Sequence, residues 1–74
     1  MAAFEYWPFA SSSVDPDQAE LEGRDYLHHV IKNGLCISAV LADAYQSPPT
    51  TTNVIARSAF VGELVRLALK GGAA

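Results

Sequence analysis

Between Pro16 and Pro48 the chain carries no proline, and inside that interval residues 26–45, YLHHVIKNGLCISAVLADAY, repeat their apolar members at helical spacing. On a continuous helix Leu27, Val30, Gly34, Ile37, Ser38, Leu41 and Tyr45 fall along one side, three and four residues apart. Asp25, His29, Lys32, Cys36 and Asp43 fall along the other. Such a helix is stable only when its apolar stripe is covered. What covers it is therefore the question that the rest of the chain has to answer.

Seventy-four residues allow one small domain with a single thin core. Half of them are hydrophobic, which is too apolar for a disordered chain and more than two helices bury between themselves. A domain of this size usually needs a disulfide, a metal or a partner. The single cysteine, Cys36, excludes an internal disulfide, so self-association or a protein partner is the expected remedy. A net charge of −3 argues against a general nucleic-acid binder. The N-terminus lacks the basic region and apolar core of a secretory signal, and no apolar run is long enough to span a bilayer. With a single cysteine, the cytoplasm is the expected setting.

Residues 1–14 gather Phe4, Tyr6, Trp7 and Phe9 around Pro8, which interrupts any helix there. The segment is expected to be an extended arm whose rings pack on the helices. The competing expectation is a docking motif, since Trp, Tyr and Phe are common anchors of protein interfaces. Ser11, Ser12 and Ser13 form a polar hinge behind it.

A helix start follows. Asp15 suits the N-cap, Pro16 the first helical position, and Asp17 the positive end of the helix dipole. Gln18 completes a capping box, and Glu20 and Arg24 form an i,i+4 pair. The pattern predicts one helix over 16–46, with Gly23 as its soft spot. Ser47-Pro48-Pro49 ends it. After a turn over 47–52, a second helix is predicted over 53–70, with Val54, Ser58, Val61, Leu64, Val65 and Ala68 inward and Glu63, Arg66 and Lys70 outward. Gly71-Gly72 are expected to stop it, leaving 71–74 as a tail.

A short connection makes the two helices antiparallel neighbours. Their expected contact runs through Leu27, Val30, Gly34, Ile37, Ser38 and Leu41 on the first helix and Val61, Leu64 and Val65 on the second. Gly34 and Ser38 would mark the closest approach. Small residues recur at Gly34, Ser38 and Ala42, and Ala59 and Gly62 lie close to Ile55 on the second helix, which fits a contact within the hairpin or between chains. Arg57 falls inside the apolar arc, where it would either pair with Asp43 or face a partner protein.

Groups able to do chemistry are sparse. Asp25, His29 and Cys36 share a face, but Cys36 would lie about 10 Å from His29 along the axis, too far for one zinc ion. No histidine on that helix reaches Cys36 as a base. There is no glycine-rich phosphate loop and too little chain to build a pocket around paired carboxylates. No catalytic residue, cofactor or metal site is predicted, and the chain is not expected to be an enzyme.

The segments GRDYLHHVIKNGLCISAVLADAYQ and ARSAFVGELVRLAL, with the polar turn between them, resemble a group of short proteobacterial proteins common in pseudomonads. The resemblance spans 23–69 and implies a C-terminal helical hairpin, with no activity to carry over; the proline-rich turn departs from it.

The sequence thus predicts an all-α fold, an antiparallel two-helix hairpin over 15–70 with an aromatic arm over 1–14, pairing into a four-helix homodimer. The expected function is non-enzymatic protein binding by a small adaptor, chaperone-like subunit or inhibitor, with Phe4, Tyr6, Trp7, Phe9 and Arg57 as candidate partner-binding residues. The alternatives are a DNA-binding regulator of the helix-turn-helix kind, which would need a basic recognition face, and a metal-binding helical protein.

Overall fold

A computed structural model describes residues 7–9 and 15–72, and every regular element among them is helical. There are three helices rather than two: α1 (Pro16–Lys32), α2 (Ile37–Gln46) and α3 (Thr51–Gly72). The start of α1 follows from local chemistry. The Asp15 carboxylate accepts from the backbone N–H of Asp17 (3.1 Å) and Gln18 (3.3 Å), Pro16 occupies the first turn, and Arg24 pairs with Glu20 at 3.2 Å.

The expected helix over 16–46 is not continuous, and it breaks at Gly34 rather than softening at Gly23. Gly34 adopts φ +66°, a left-handed conformation that glycine enters without penalty. Its N–H donates to the Ile31 carbonyl (3.1 Å), and the Leu35 N–H donates to the Val30 carbonyl (3.0 Å). This pair of bonds is a Schellman cap, which satisfies carbonyls that a helix end otherwise leaves open. Leu35 then packs against the core cluster that contains Val30. Gly34 and Ser38, expected at a close helix contact, are both exposed.

The break resets the phase. In α1 the buried residues are Ala19, Gly23, Leu27 and Val30; in α2 they are Val40 and Ala44, with Ile37 and Leu41 packed beside them. Ser47 closes α2, its hydroxyl donating to the Asp43 carbonyl at 2.9 Å, and Pro48-Pro49 carry the chain to α3. Thr50 caps α3, its hydroxyl accepting from the Asn53 N–H at 3.1 Å. That helix starts two residues earlier than expected and continues through Gly71 and Gly72 instead of stopping at them.

The main packing is between α1 and α3. Gly23 faces the Ala56 backbone, the Tyr26 and Phe60 rings lie 6.0 Å apart, and His28 meets Glu63 at 2.6 Å. These contacts advance in the same direction along both helices, so α1 and α3 run in the same sense. The antiparallel hairpin is thereby replaced: α2 is the return stroke that brings the chain back to the start of α1. The inward face of α3 carries Asn53, Ala56, Phe60 and Glu63, with Leu64 and Leu67 alongside. Ser58, Val65 and Ala68, expected inside, are exposed.

The closest approach falls at Gly23. A Cβ at that position would lie 2.2 Å from the Ala56 carbonyl oxygen, which belongs to backbone and has no flexible end to move. Gly23→Ala should therefore lower stability by about 1–3 kcal/mol through overpacking, although alanine is the better helix former by about 1 kcal/mol. Urea denaturation checks this, and a stabilised variant would contradict the close contact.

Candidate interaction surface

The interior uses up the side chains that otherwise suggest chemistry or docking. Trp7 is fully buried and touches all three helices. Its ring meets Tyr26 of α1 edge-on at 5.7 Å and Phe60 of α3 at 5.5 Å, and Phe9 closes the cluster at 4.9 Å. Its backbone N–H donates to the Asp43 carboxylate of α2, and its indole Nε1–H donates to Oδ1 of Asn53 on α3. Asn53 is itself fully buried, and its amide Nδ2 donates to the Pro48 carbonyl at 2.6 Å. One asparagine thus ties the arm, the turn and α3 together. Burial, and after it the negative charge of Asp43, raise the Tyr26 phenol above its usual 10.0.

Trp7 and Phe9 are therefore not available as docking anchors; their area is spent on the fold. Phe4 and Tyr6 lie outside the described residues. Arg57 is half-buried, with its guanidinium 4.4 Å over the Tyr45 ring. The Asp43 partner expected for it is occupied instead by the Trp7 N–H.

Glu63, expected to face outward, is 6% exposed. Its carboxylate receives two hydrogen bonds from Arg66, at 2.9 and 2.7 Å, and one contact from His28 Nε2 at 2.6 Å. The Arg66 bonds, followed by the His28 bond, lower its pKa from 4.5 to about 2, and Glu63 in turn raises that of Arg66. Sequence reasoning placed this residue outward because its contact with α1, through His28, spans 35 positions of chain. Asp25, His29 and Cys36 all lie exposed; the His29 ring stacks on Tyr26 at 5.7 Å. Among the described residues no three of His, Cys, Asp and Glu gather closely enough to hold an ion. No helix among them is long and apolar enough to cross a membrane.

What remains open is the outer side of α3. Opposite its buried face run Ile55, Ser58, Gly62, Val65 and Leu69, where a surface helix normally carries polar residues. Val65 is 50% and Leu69 69% exposed, and nothing lies within 4 Å of a Cβ built on Gly62. This face continues through Ile55, Ser58 and Gly62 into a groove of about 690 Å³ between α1 and α3. It is lined by Val54, Ile55, Ser58, Ala59 and Gly62 and by the charged Glu20, Arg24, Glu63 and Arg66. Of the expected helix-contact residues, Leu27 and Val30 are buried, and Ile37, Leu41, Val61 and Leu64 are partly buried. Val65 instead belongs to the open face.

Comparison with protein-family models, with curated proteins and with solved structures found no match, and none of the three bears on the resemblance of residues 23–69.

Two outcomes follow from the buried polar groups. Asn53→Ala removes the acceptor of the Trp7 indole and should cost about 1–3 kcal/mol; an unchanged urea midpoint would show that the indole has another partner. For Glu63, the unfolded carboxyl takes up its proton near 4.5 and the folded one only near about 2. Between these values the unfolded state binds the extra proton, so stability that is complete above 4.5 is lost as pH falls towards 2. The wild-type chain should therefore lose stability more steeply than Glu63→Gln across that window. Parallel profiles in urea titrations at each pH would contradict it.

Proposed function

We propose that this chain is a small, non-enzymatic protein-binding regulator, of the adaptor, chaperone-like or inhibitor kind, whose working surface is the outer face of α3 and the groove beside it. The observation that carries this reading is the apolar character of a helix face that a self-sufficient monomer would make polar. An amphipathic helix laid into a groove is a common mode of protein recognition, and the small residues Ala59 and Gly62 allow its backbone to come close. The mixed acids and bases among the lining residues suit the polar part of such a contact. Self-association belongs to the same reading, because a core this thin gains from a second layer of helices. A reducing, cytoplasmic setting suits its exposed thiol at Cys36.

The test is site-specific photocrosslinking in the cell of origin. A benzophenone side chain in place of the exposed Ser58 should yield adducts with protein, this chain included. The same group in place of Lys32, on the polar side of α1, should yield none above background. Equal yields at both positions would remove the basis for a binding surface on α3.

A further inference from the structure

We infer that Asn33 is a site of spontaneous covalent modification, converted to aspartate and isoaspartate through a cyclic imide with Gly34, and that this conversion dismantles the break between α1 and α2. The chain has two asparagines, and the structure sets them apart. Asn53 is fully buried, its carboxamide is engaged at both ends by Trp7 and the Pro48 carbonyl, and a β-branched valine follows it. Asn33 and Gly34 are both exposed and stand at the end of a helix, where backbone hydrogen bonds open most easily. Gly34 has no side chain to hinder attack by its own nitrogen, and a Cβ built there would touch nothing within 4 Å.

In the reaction the Gly34 nitrogen gives its proton to water and bonds to Asn33 Cγ. The Cγ–Nδ2 bond breaks, and Nδ2 takes a proton from water and leaves as ammonia. A second water opens the imide at either carbonyl, which yields aspartate or isoaspartate. The closed cap holds this chemistry back. The Gly34 N–H donates to the Ile31 carbonyl at 3.1 Å, and Asn33 Nδ2 donates to the His29 carbonyl at 2.8 Å. At ψ 5° the Gly34 nitrogen is turned towards the Asn33 backbone nitrogen and away from its side chain. The reaction therefore proceeds from the opened cap, and Leu35, which bonds to Val30 and packs on the core, is what keeps the cap closed. Either product undoes that cap. Aspartate lacks the donor to the His29 carbonyl and adds a negative charge at the negative end of α1. Isoaspartate inserts the side-chain carbon into the backbone, which takes the Gly34 and Leu35 N–H groups out of register with Ile31 and Val30.

The experiment incubates the full chain at neutral pH, with and without urea that unfolds it, and follows both asparagines by digestion and mass spectrometry. In the native chain aspartate and isoaspartate should accumulate at 33 and not at 53, more slowly than in the unfolded chain. Leu35→Ala, if circular dichroism shows it folded, should convert faster than the wild type. Independently of that variant, the Gly34 N–H of the wild-type chain should exchange with deuterium faster than the core amides of α1 and α3. The purified isoaspartate form should unfold at a lower urea concentration than its parent. An Asn33 that converts only in the unfolded chain, native conversion of Asn53 in step with Asn33, or a folded Leu35→Ala that reacts no faster would each overturn the inference. So would a Gly34 N–H that exchanges only together with the core amides, or an isoaspartate form as stable as its parent.

Discussion

The fold depends on Trp7. A single residue from the N-terminal arm donates its backbone N–H to α2, donates its indole N–H to α3 and packs its ring against α1 and α3. The direct packing between α1 and α3 is close, but α2 meets α3 only lightly, and Trp7 is the wedge that joins them through Asp43 and Asn53. A tryptophan supplies a large apolar area with only one polar atom to satisfy. Here that atom finds the one buried asparagine, and none of the buried side-chain nitrogens and oxygens among the described residues lacks a partner. In a chain of 74 residues, where every few ångströms of apolar area matter, such a ring does much of the work a larger protein spreads over a sheet.

That arrangement explains which surface is left over. With Trp7 and Phe9 packed between the helices, the core is complete on one side of α3: Asn53, Ala56, Phe60 and Glu63 face in. The other side leaves Val65 and Leu69 largely exposed, with Ile55 half-buried at the groove. Trp7 and Phe9, which a sequence reading can mistake for docking anchors, serve the inside, and a helix that looks like plain core offers the outside surface. The Glu63 cluster marks the boundary between the two, since its carboxylate is buried against α1 while Arg66 reaches the rim of the groove.

Much of the local structure was legible in the sequence. Asp15, Pro16 and the Glu20–Arg24 pair announce the start of α1, and Ser47-Pro48-Pro49 announces the turn before α3, because each acts through neighbours within four residues. The break at Asn33-Gly34 was legible in principle, since Asn-Gly after Lys32 is a common helix ending. It was obscured because Gly34 also fits the apolar stripe of a continuous helix. The inward face of α3 was not legible for a different reason. That helix is apolar on nearly every side, so periodicity cannot choose between Val61–Val65 and Ala56–Phe60, and only Gly23 and the tryptophan decide it. Missing α2 as a separate stroke then reversed the relative sense of the long helices.

The central role of Trp7 is tested most directly by hydrogen exchange at its own indole Nε1–H in the unmodified chain, followed by NMR. If that proton is held by Asn53 inside the junction of the three helices, it should exchange only through global unfolding, at a rate matching the most protected amides of α1 and α3. Exchange at the rate of a freely solvated indole, with α1 and α3 still protected, would show that the helices hold together without it and would contradict the structure described above.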